Sequence, residues 1–256
     1  MSYVTEVGQV TVTELAQRFD VSADTIRRDL DQLDADGVLI RTHGGALSPS
    51  GVPRPDTSLD VRRRVQIDAK DRIGALAAGL VQDGTAVVVN AGTTTLALVR
   101  HLREHRDLTV ATNSLQLASE IEPSVVRDLY VFGGAVRHSA MATVGPVSFP
   151  QALGGGEVDI RCDLALIGVG GVDTDAGFST SNVGEAAMMS EMMSRATRVA
   201  VLADSSKFGR RLFARVAELA RADYLVTDRT PPDDLAAALA EAGVTVLVPD
   251  PAGARA

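Results

Sequence analysis

The sequence predicts an α/β protein of two domains, a small winged helix-turn-helix and a larger three-layer α/β domain. Three observations support this fold class. Residues 12–46 hold two short helical patterns and a glycine-rich hairpin, and residues 47–60 are rich in Pro, Ser and Gly. From Asp71 onward, apolar strand patterns alternate with amphipathic helical patterns.

These patterns set the expected domain boundaries. We expect a winged helix-turn-helix over 1–47, a linker over 48–60, the α/β domain over 61–250 and a tail over 251–256. The chain of 256 residues has room for a small domain and one of ordinary size.

The first part of the chain predicts a short opening helix and a second helix. Residues 2–7 suit one or two turns, with Tyr3, Val4 and Val7 directed inward. Thr13 is a suitable N-cap for the next helix, which carries Leu15, Ala16 and Phe19 on one face.

The following helix has the pattern of a recognition helix. Ser22 suits its N-cap, and Gly37 suits its end. Ile26, Leu30 and Leu33 recur at helical spacing and form one apolar stripe. Residues beside that stripe near the N-terminus face outward, where such a helix enters a major groove.

The hairpin after this helix predicts a wing. A strand is expected over 38–41, and the run from His43 through two glycines permits a tight turn. The candidate DNA-binding residues are Ser22, Thr25, Arg27, Arg28, Arg41 and His43. The alternative is an ordinary helical hairpin with a solvated charged face, which the apolar spacing alone does not exclude.

The net charge of −8 weighs mildly against nucleic acid as a partner. Screening over about 8–10 Å isolates a local basic patch from distant charge, so the charge does not exclude it. Asp29, Asp31, Asp34 and Asp36 make the back of the recognition helix acidic. We therefore expect weak non-specific DNA binding that depends on a few arginines.

The second domain is predicted as a parallel sheet covered by helices on both faces. Helices are expected at 71–82, 94–102, 115–121, 183–195 and 233–242, with a partly helical segment at 212–220. Strands are expected at 86–89, 108–111, 129–132, 163–167, 199–203, 224–226 and 244–248. The methionines of 188–193 are expected in a core or a subunit interface.

Polar and glycine-rich loops follow five of these strands. In a parallel sheet, ligands bind beyond the carboxyl ends of the strands, so the loops predict one site. Glycines, hydroxyls and cations suit a phosphate, and carboxylates suit the hydroxyls of a sugar or polyol. The candidate effector-binding residues are Gly92, Thr93, Thr94, Thr95, Asn113, Ser114, Gly133, Gly134, Arg137, Gly170, Gly171, Glu185, Asp204 and Lys207.

No cofactor is predicted. The dinucleotide G-x-G-x-x-G fingerprint and the G-x-x-x-x-G-K-[ST] loop are both missing from the sequence. The four histidines are scattered, and no metal-ligand cluster is visible.

These motifs resemble those of the DeoR family of bacterial transcriptional regulators. The DNA-binding resemblance rests on 21–30 and 37–46, and the second-domain resemblance on 90–95, 112–114, 133–134, 185–186 and 202–209. The resemblance implies repression of sugar or nucleoside catabolism genes. It further implies an effector domain similar to ribose-5-phosphate isomerase, with release from operator DNA by a phosphorylated sugar.

The sequence departs from that family pattern at three places. The opening helix is short, Asn90 stands where members often carry Asp, and Met189 stands where many carry Lys. Two alternatives stay open beside the repressor hypothesis. One is a sugar-phosphate isomerase-like enzyme in which Asp204, Glu185 and Lys207 act as acid, base and oxyanion stabiliser. The other is an effector-binding protein with a truncated DNA-binding domain.

The remaining expectations concern partners and location. A single cysteine, Cys162, suits a reducing cytoplasm and excludes a disulfide framework. No signal peptide is visible, and no apolar run approaches the roughly 18–20 residues of a spanning helix. We expect a cytoplasmic protein without membrane contact, not an enzyme, that forms a dimer or tetramer and binds operator DNA and a phosphorylated sugar or polyol.

Overall fold

A computed structural model describes residues 2–49, 51, 57–150, 157–158 and 160–250 of the chain. Two compact units make up the chain, Met1–Ile67 and Asp68–Ala256. Part of the predicted linker, residues 50 and 52–56, and the predicted tail, 251–256, lie outside the described residues.

The N-terminal unit is a winged helix-turn-helix, as predicted. Its helices are α1 (Ser2–Val7), α2 (Val12–Phe19), α3 (Ala23–Ala35) and α4 (Leu59–Arg63), and its strands are β1 (Gln9–Thr11), β2 (Ile40–Thr42) and β3 (Gly45–Leu47). The strands form one antiparallel sheet in the order β1-β3-β2. The sequence analysis did not predict β1, and it placed the wing strand two residues too early.

One small core holds this unit together. Ile26 and Leu30 of α3 pack with Leu15 of α2 and Val4 of α1, and Leu33 is partly buried against them. This confirms the predicted apolar stripe of α3. Each buried apolar side chain of this kind stabilises the folded unit by roughly 1.5–3 kcal/mol. This burial is the main reason that such short helices persist.

Three details of the opening helices were wrong. Thr11, not Thr13, caps α2: its hydroxyl accepts the Glu14 N–H at 3.1 Å, and the Glu14 carboxylate accepts the Thr11 N–H at 2.6 Å. Phe19 and Val7 are exposed rather than inward. Each is the last residue of its helix, where the chain already turns away from the core.

The domain boundary also differs from the prediction. The sequence analysis began the α/β domain at residue 61, but α4 belongs to the N-terminal unit. The physical reason is apolar packing: Val61 and the buried Val65 contact Ile40 and Leu47 of the wing.

The second unit has the predicted three-layer α/β architecture. Its main sheet contains seven parallel strands in the order β17-β16-β14-β11-β4-β5-β6 among the described residues. These strands are β4 (Ala86–Val89), β5 (Leu108–Thr112), β6 (Val126–Val131), β11 (Cys162–Gly168), β14 (Ala196–Leu202), β16 (Tyr224–Val226) and β17 (Thr245–Leu247).

Helices cover both faces of that sheet. They are α5 (Ile67–Ala78), α6 (Thr93–Val99), α7 (Leu115–Glu120), α8 (Val183–Ser194) and α9 (Asp233–Glu241). Side chains of α5, α6 and α7 share one apolar cluster with Leu164 and Leu166 of β11. Side chains of α8 and α9 share the other cluster with Ala165 and Ile167, and the methionines of α8 are buried there.

Antiparallel strands that the sequence analysis missed complete the unit. They are β7 (Ala135–Arg137), β8 (Ala142–Val144), β9 (Phe149–Pro150), β10 (Glu157–Val158), β12 (Gly171–Asp173), β13 (Gly177–Thr180) and β15 (Ala214–Ala217). The expected helical segment at 212–220 was therefore wrong in its centre. There Ala214 and Val216 are buried and Arg215 is exposed, which is the alternation of a strand paired with β13.

A glycine in the wing tests the packing of the N-terminal unit. A Cβ on Gly45 would stand 1.8 Å from the carbonyl oxygen of Val10, whereas one on Gly44 would meet nothing within 4 Å. We expect Gly45→Ala to destabilise this unit by at least about 1–3 kcal/mol and Gly44→Ala to change its stability far less. Thermal unfolding followed by circular dichroism compares the two variants, and equal stabilities would contradict the close approach of β1 and β3.

Candidate DNA-binding surface and ligand site

The recognition helix α3 begins with a cap that orders its exposed end. The Ser22 hydroxyl accepts the Thr25 N–H at 3.1 Å, and the two hydroxyls lie 2.9 Å apart. This confirms Ser22 as the N-cap. Both side chains are exposed, so the first turn of α3 presents hydroxyl groups to solvent.

The two arginines of the next turn differ in their surroundings. Arg27 pairs with Asp24 at 2.5 Å, although its side chain remains 54% exposed. Arg28 is exposed and makes no hydrogen bond or ion pair with any residue that the structure describes. The Arg28 guanidinium is therefore available to an external acceptor without loss of an internal contact.

The wing presents one of its two predicted residues to solvent. His43 is exposed in the turn between β2 and β3. Arg41, by contrast, is directed into the unit: its Nε donates to Asp31 at 2.9 Å, and its Nη1 donates to the carbonyls of Thr42 and Gly45 at 2.7 and 2.6 Å. Its side chain is 21% exposed. The predicted DNA contact by Arg41 conflicts with this arrangement.

Asp34 of α3 accepts hydrogen bonds from residues at the end of α4 and in β2. The Asp34 carboxylate accepts from Arg64 Nη2 at 2.6 Å and from the Arg41 N–H at 2.9 Å. The hydrogen bond from Arg64 is the largest cause that lowers the pKa of Asp34, and burial opposes it. Arg64, at the end of α4, thus binds the recognition helix.

In the α/β unit, the five predicted loops follow five strands that are neighbours in the sheet. The strands β14, β11, β4, β5 and β6 stand side by side, and all run in the same direction. Their carboxyl ends therefore share one edge, and the structure brings the predicted loops to that edge.

Two buried asparagines tie these loops together. Asn90 donates to the Gly168 carbonyl at 2.9 Å and accepts the Gly168 N–H at 2.8 Å. Asn113 accepts the Ala91 N–H at 2.7 Å and donates to the Thr143 carbonyl at 2.8 Å. An aspartate at position 90 would lack the donor that satisfies the Gly168 carbonyl. Asn90 is thus a structural residue that the sequence analysis noted only as a departure.

Several other residues that were predicted to bind the ligand form hydrogen bonds within the protein instead. The Thr95 hydroxyl donates to the Asn90 carbonyl at 2.8 Å and is fully buried. The Ser114 hydroxyl accepts the Leu117 N–H at 3.1 Å and caps α7. Thr94 is also buried, while Thr93 and Gly92 are partly exposed at the start of α6.

Four of the five predicted loop glycines, those after β6 and β11, lie where the backbone approaches other groups closely. Gly133 has a φ of 104°, and a Cβ on it would stand 2.6 Å from the Thr143 hydroxyl. Gly134 and Gly170 donate their N–H groups to the carbonyls of Val144 and Ser179. A Cβ on Gly171 would stand 2.3 Å from the Arg210 carbonyl oxygen. These glycines therefore serve close packing.

The charged residues at this edge form two internal pairs. Arg137 pairs with Glu185, which also lies 3.4 Å from the Thr180 hydroxyl. Lys207 lies 3.7 Å from the buried Asp204 Oδ2, an atom that has no hydrogen-bond partner among the described residues. An external anion would thus compete with a carboxylate for each cation.

Sequence reasoning missed further residues near these pairs. Burial lowers the pKa of the Arg210 guanidinium, and the charge of Asp204 opposes that shift. Asp228, after β16, accepts both the Ser205 N–H at 2.6 Å and the Ser205 hydroxyl at 3.1 Å. No local motif marks Asp228, because its partner Ser205 lies 23 residues earlier in the chain. Arg210 lies one residue beyond the 202–209 motif.

The single cysteine has no reactive surroundings. Cys162 is buried in β11, and desolvation raises the pKa of its thiol to about 11. The thiol therefore stays protonated at neutral pH, and Cys162 acts as a small apolar residue.

No helix among the described residues is both long enough and apolar enough to cross a membrane.

Family models match both parts of the chain. A model described as the DeoR-like helix-turn-helix domain matches residues 1–52, and one described as the DeoR C terminal sensor domain matches residues 65–229.

Several known proteins are similar to this chain over most of its length. The HTH-type transcriptional repressor GlcR of Bacillus subtilis is 34% identical over 97% of this chain and 93% of its own length. A putative aga operon transcriptional repressor of Escherichia coli O157:H7 is 31% identical over 94% of this chain and 88% of its own. The glycerol-3-phosphate regulon repressor of Escherichia coli K12 is 28% identical over 90% and 88%.

Solved structures show more distant likenesses. Ribose 5-phosphate isomerase A of Methanocaldococcus jannaschii has a TM-score of 0.38 and 17% identity, with 56% of this chain and 54% of that chain covered. The eIF2B beta subunit of Chaetomium thermophilum has a TM-score of 0.45 and 15% identity, with 71% and 55% covered.

The lowered pKa of Asp34 predicts a pH dependence. A carboxyl group whose pKa is lowered on folding stabilises the fold above its unfolded pKa of about 3.9, and this contribution disappears as pH falls through the folded value. We expect Asp34→Asn to destabilise the N-terminal unit by about 1 kcal/mol at pH 7 and by less at pH 3, which lies below the unfolded pKa of the carboxyl group. Urea unfolding at both pH values measures the difference, and a constant difference would contradict the contacts of Asp34.

Proposed function

This chain belongs to the DeoR family, and on that premise we propose that it is a DNA-binding transcriptional repressor of carbohydrate or polyol catabolism genes. A phosphorylated sugar or related metabolite releases it from its operator. The relatives named above are repressors, and one is named for a glycerol-3-phosphate regulon. This supports the repressor hypothesis over the isomerase-like enzyme, whose proposed base and cation, Glu185 and Lys207, both lie in ion pairs.

The observation that carries the DNA-binding proposal is the exposed Arg28 in the second turn of a capped recognition helix. A guanidinium without an internal partner is free to bind the O6 and N7 atoms of guanine with two hydrogen bonds. Thr25 lies one turn earlier on the same exposed end and suits a phosphate or base contact. Arg27 is held by Asp24, so we assign it a secondary, phosphate-directed role.

The ligand site of the proposal is the carboxyl edge of the parallel sheet. Arg137 is the candidate phosphate partner because its guanidinium is one-third exposed and already orders a carboxylate there. A phosphate with nearly two negative charges competes with the single charge of Glu185 for this arginine. Asp204 and Lys207 are candidates for the hydroxyl groups of the ligand.

We further propose that the active form is a dimer or tetramer. A helix-turn-helix protein reads two operator half-sites about 34–36 Å apart with two copies of its recognition helix. The α/β unit has side chains suited to an interface: Phe213 is 85% exposed and Val183 is 61% exposed. Effector binding shifts the population toward an arrangement that misplaces the two helices.

The test of the proposed function starts from a selection of DNA. The native protein is incubated with a randomised duplex library, and the selected duplex is used in gel-shift titrations. We expect a two-fold symmetric site and a loss of roughly 1–3 kcal/mol in affinity for Arg28→Ala. Arg103→Ala, which removes an equal charge from an exposed residue of the α/β unit, is the control. Unchanged affinity of the Arg28 variant would remove this residue from the interface.

The ligand is tested by thermal unfolding with glycerol 3-phosphate and with pentose and hexose phosphates. A ligand at 100 times its dissociation constant stabilises the protein by about 2.7 kcal/mol. We expect one member of this panel to stabilise the native protein, and Arg137→Gln to abolish the shift while Arg103→Gln retains it. Stabilisation that survives in the Arg137 variant would place the phosphate elsewhere.

A further inference from the structure

The wing of the N-terminal unit is fastened to the recognition helix through one arginine. Arg41 lies in β2, and its guanidinium contacts three acceptors: the Asp31 carboxylate and the carbonyls of Thr42 and Gly45. We propose that Arg41 is a positioning residue that fixes the wing against α3 and does not itself contact DNA. This inference rests on the proposed DNA-binding function.

The two carbonyls show what the arginine holds. Thr42 and Gly45 face each other in the β2–β3 register, on either side of the turn that carries His43. By donating to both, Arg41 fixes the geometry of this turn from the inside. The Gly44 carbonyl, within the turn, accepts the Val12 N–H at 2.8 Å and links the wing to α2 as well.

The acid side of the contact belongs to the recognition helix. Asp31 and Asp34 stand one turn apart in the second half of α3, beyond the end that carries Thr25 and Arg28. Asp31 binds the Arg41 side chain, and Asp34 binds the Arg41 N–H at 2.9 Å. Both of these hydrogen bonds between β2 and α3 therefore involve the same arginine residue.

The guanidinium group of Arg41 suits the simultaneous binding of a carboxylate and two carbonyls better than an ammonium group would. A planar guanidinium donates in several fixed directions within its plane, whereas a lysine ammonium is a compact point charge on a flexible stem. Lysine at position 41 would keep the positive charge but would not bridge Asp31 and both carbonyls. Arg41→Lys therefore separates a positioning role from a phosphate contact.

Replacing Asp31 by asparagine distinguishes a positioning role of Arg41 from a phosphate contact, because it tests whether DNA affinity falls or rises. Asp31→Asn removes a negative charge from the DNA-binding unit, and this alone would strengthen binding to a polyanion. The positioning role predicts weaker binding, because the arginine loses its charged partner. Asp29→Asn is the matched control, since Asp29 is exposed on the same helix and its side chain forms no hydrogen bond or ion pair with any described residue.

The experiment measures the affinity for the selected duplex as a function of salt. We expect Arg41→Lys to weaken binding by roughly fivefold to tenfold, Arg41→Gln to weaken it at least as much, and Asp31→Asn to weaken it by roughly threefold or more. Asp31→Glu is expected to recover part of the loss, and Asp29→Asn to bind as tightly as the native protein or more tightly. The double variant, which combines Asp31→Asn with Arg41→Gln, is expected to match Arg41→Gln alone.

Other outcomes would overturn the inference. If Arg41→Lys binds like the native protein and Arg41→Gln lowers the salt slope by about 0.9, the arginine contacts a phosphate. If Asp31→Asn binds more tightly, its carboxylate does not hold the wing. Stoichiometric titration measures the active fraction, so that a loss of folded protein is not counted as a loss of affinity.

If the native protein selects no duplex, the proposed DNA-binding function is refuted, but the positioning role of Arg41 is not. That role is then tested on the free protein. Hydrogen exchange of the amides at 42–46 is compared between native protein and Arg41→Lys. We expect roughly tenfold faster exchange in the variant, with unchanged exchange in α5. Equal exchange rates in the wing would show that Arg41 does not hold it.

Discussion

The carboxyl edge of the parallel sheet depends on two buried asparagine side chains. Asn90 closes a pair of hydrogen bonds on Gly168, and Asn113 joins the loop after β4 to β8. Because buried backbone groups without partners are costly, these amides fix the spacing of loops that come from distant parts of the chain. The glycines and the Arg137–Glu185 pair then occupy positions that this framework defines.

Internal ion pairs determine which charges of the N-terminal unit remain free at its surface. Asp31 and Asp34 bind Arg41 and Arg64, so two of the four acids on the back of α3 are neutralised by internal partners. Arg28 stays without an internal partner among the described residues, which leaves its charge at the exposed end of the helix. A local positive site is thereby compatible with a net charge of −8.

The sequence predicted the elements whose pattern is local. The strands at 86–89 and 224–226 were placed at their observed bounds, because continuous apolar runs between polar loops are distinctive. The strand β15 was missed, since its stability comes from pairing with β13 more than thirty residues earlier. Candidate site residues were proposed from residue type and position, but partners of Asn113 and Arg41 come from other elements of the fold. Those contacts assign structural duties to side chains that the loops alone suggested for binding.

We propose that occupancy of the sheet edge and binding of DNA by α3 are coupled. Calorimetric titration of the stabilising sugar or polyol phosphate into free protein, and into protein saturated with the selected duplex, measures this coupling directly. The account predicts weaker ligand binding to the DNA complex, by the same factor, typically about 5–150, by which the ligand weakens DNA binding. Equal ligand affinities for free and DNA-bound protein would contradict it.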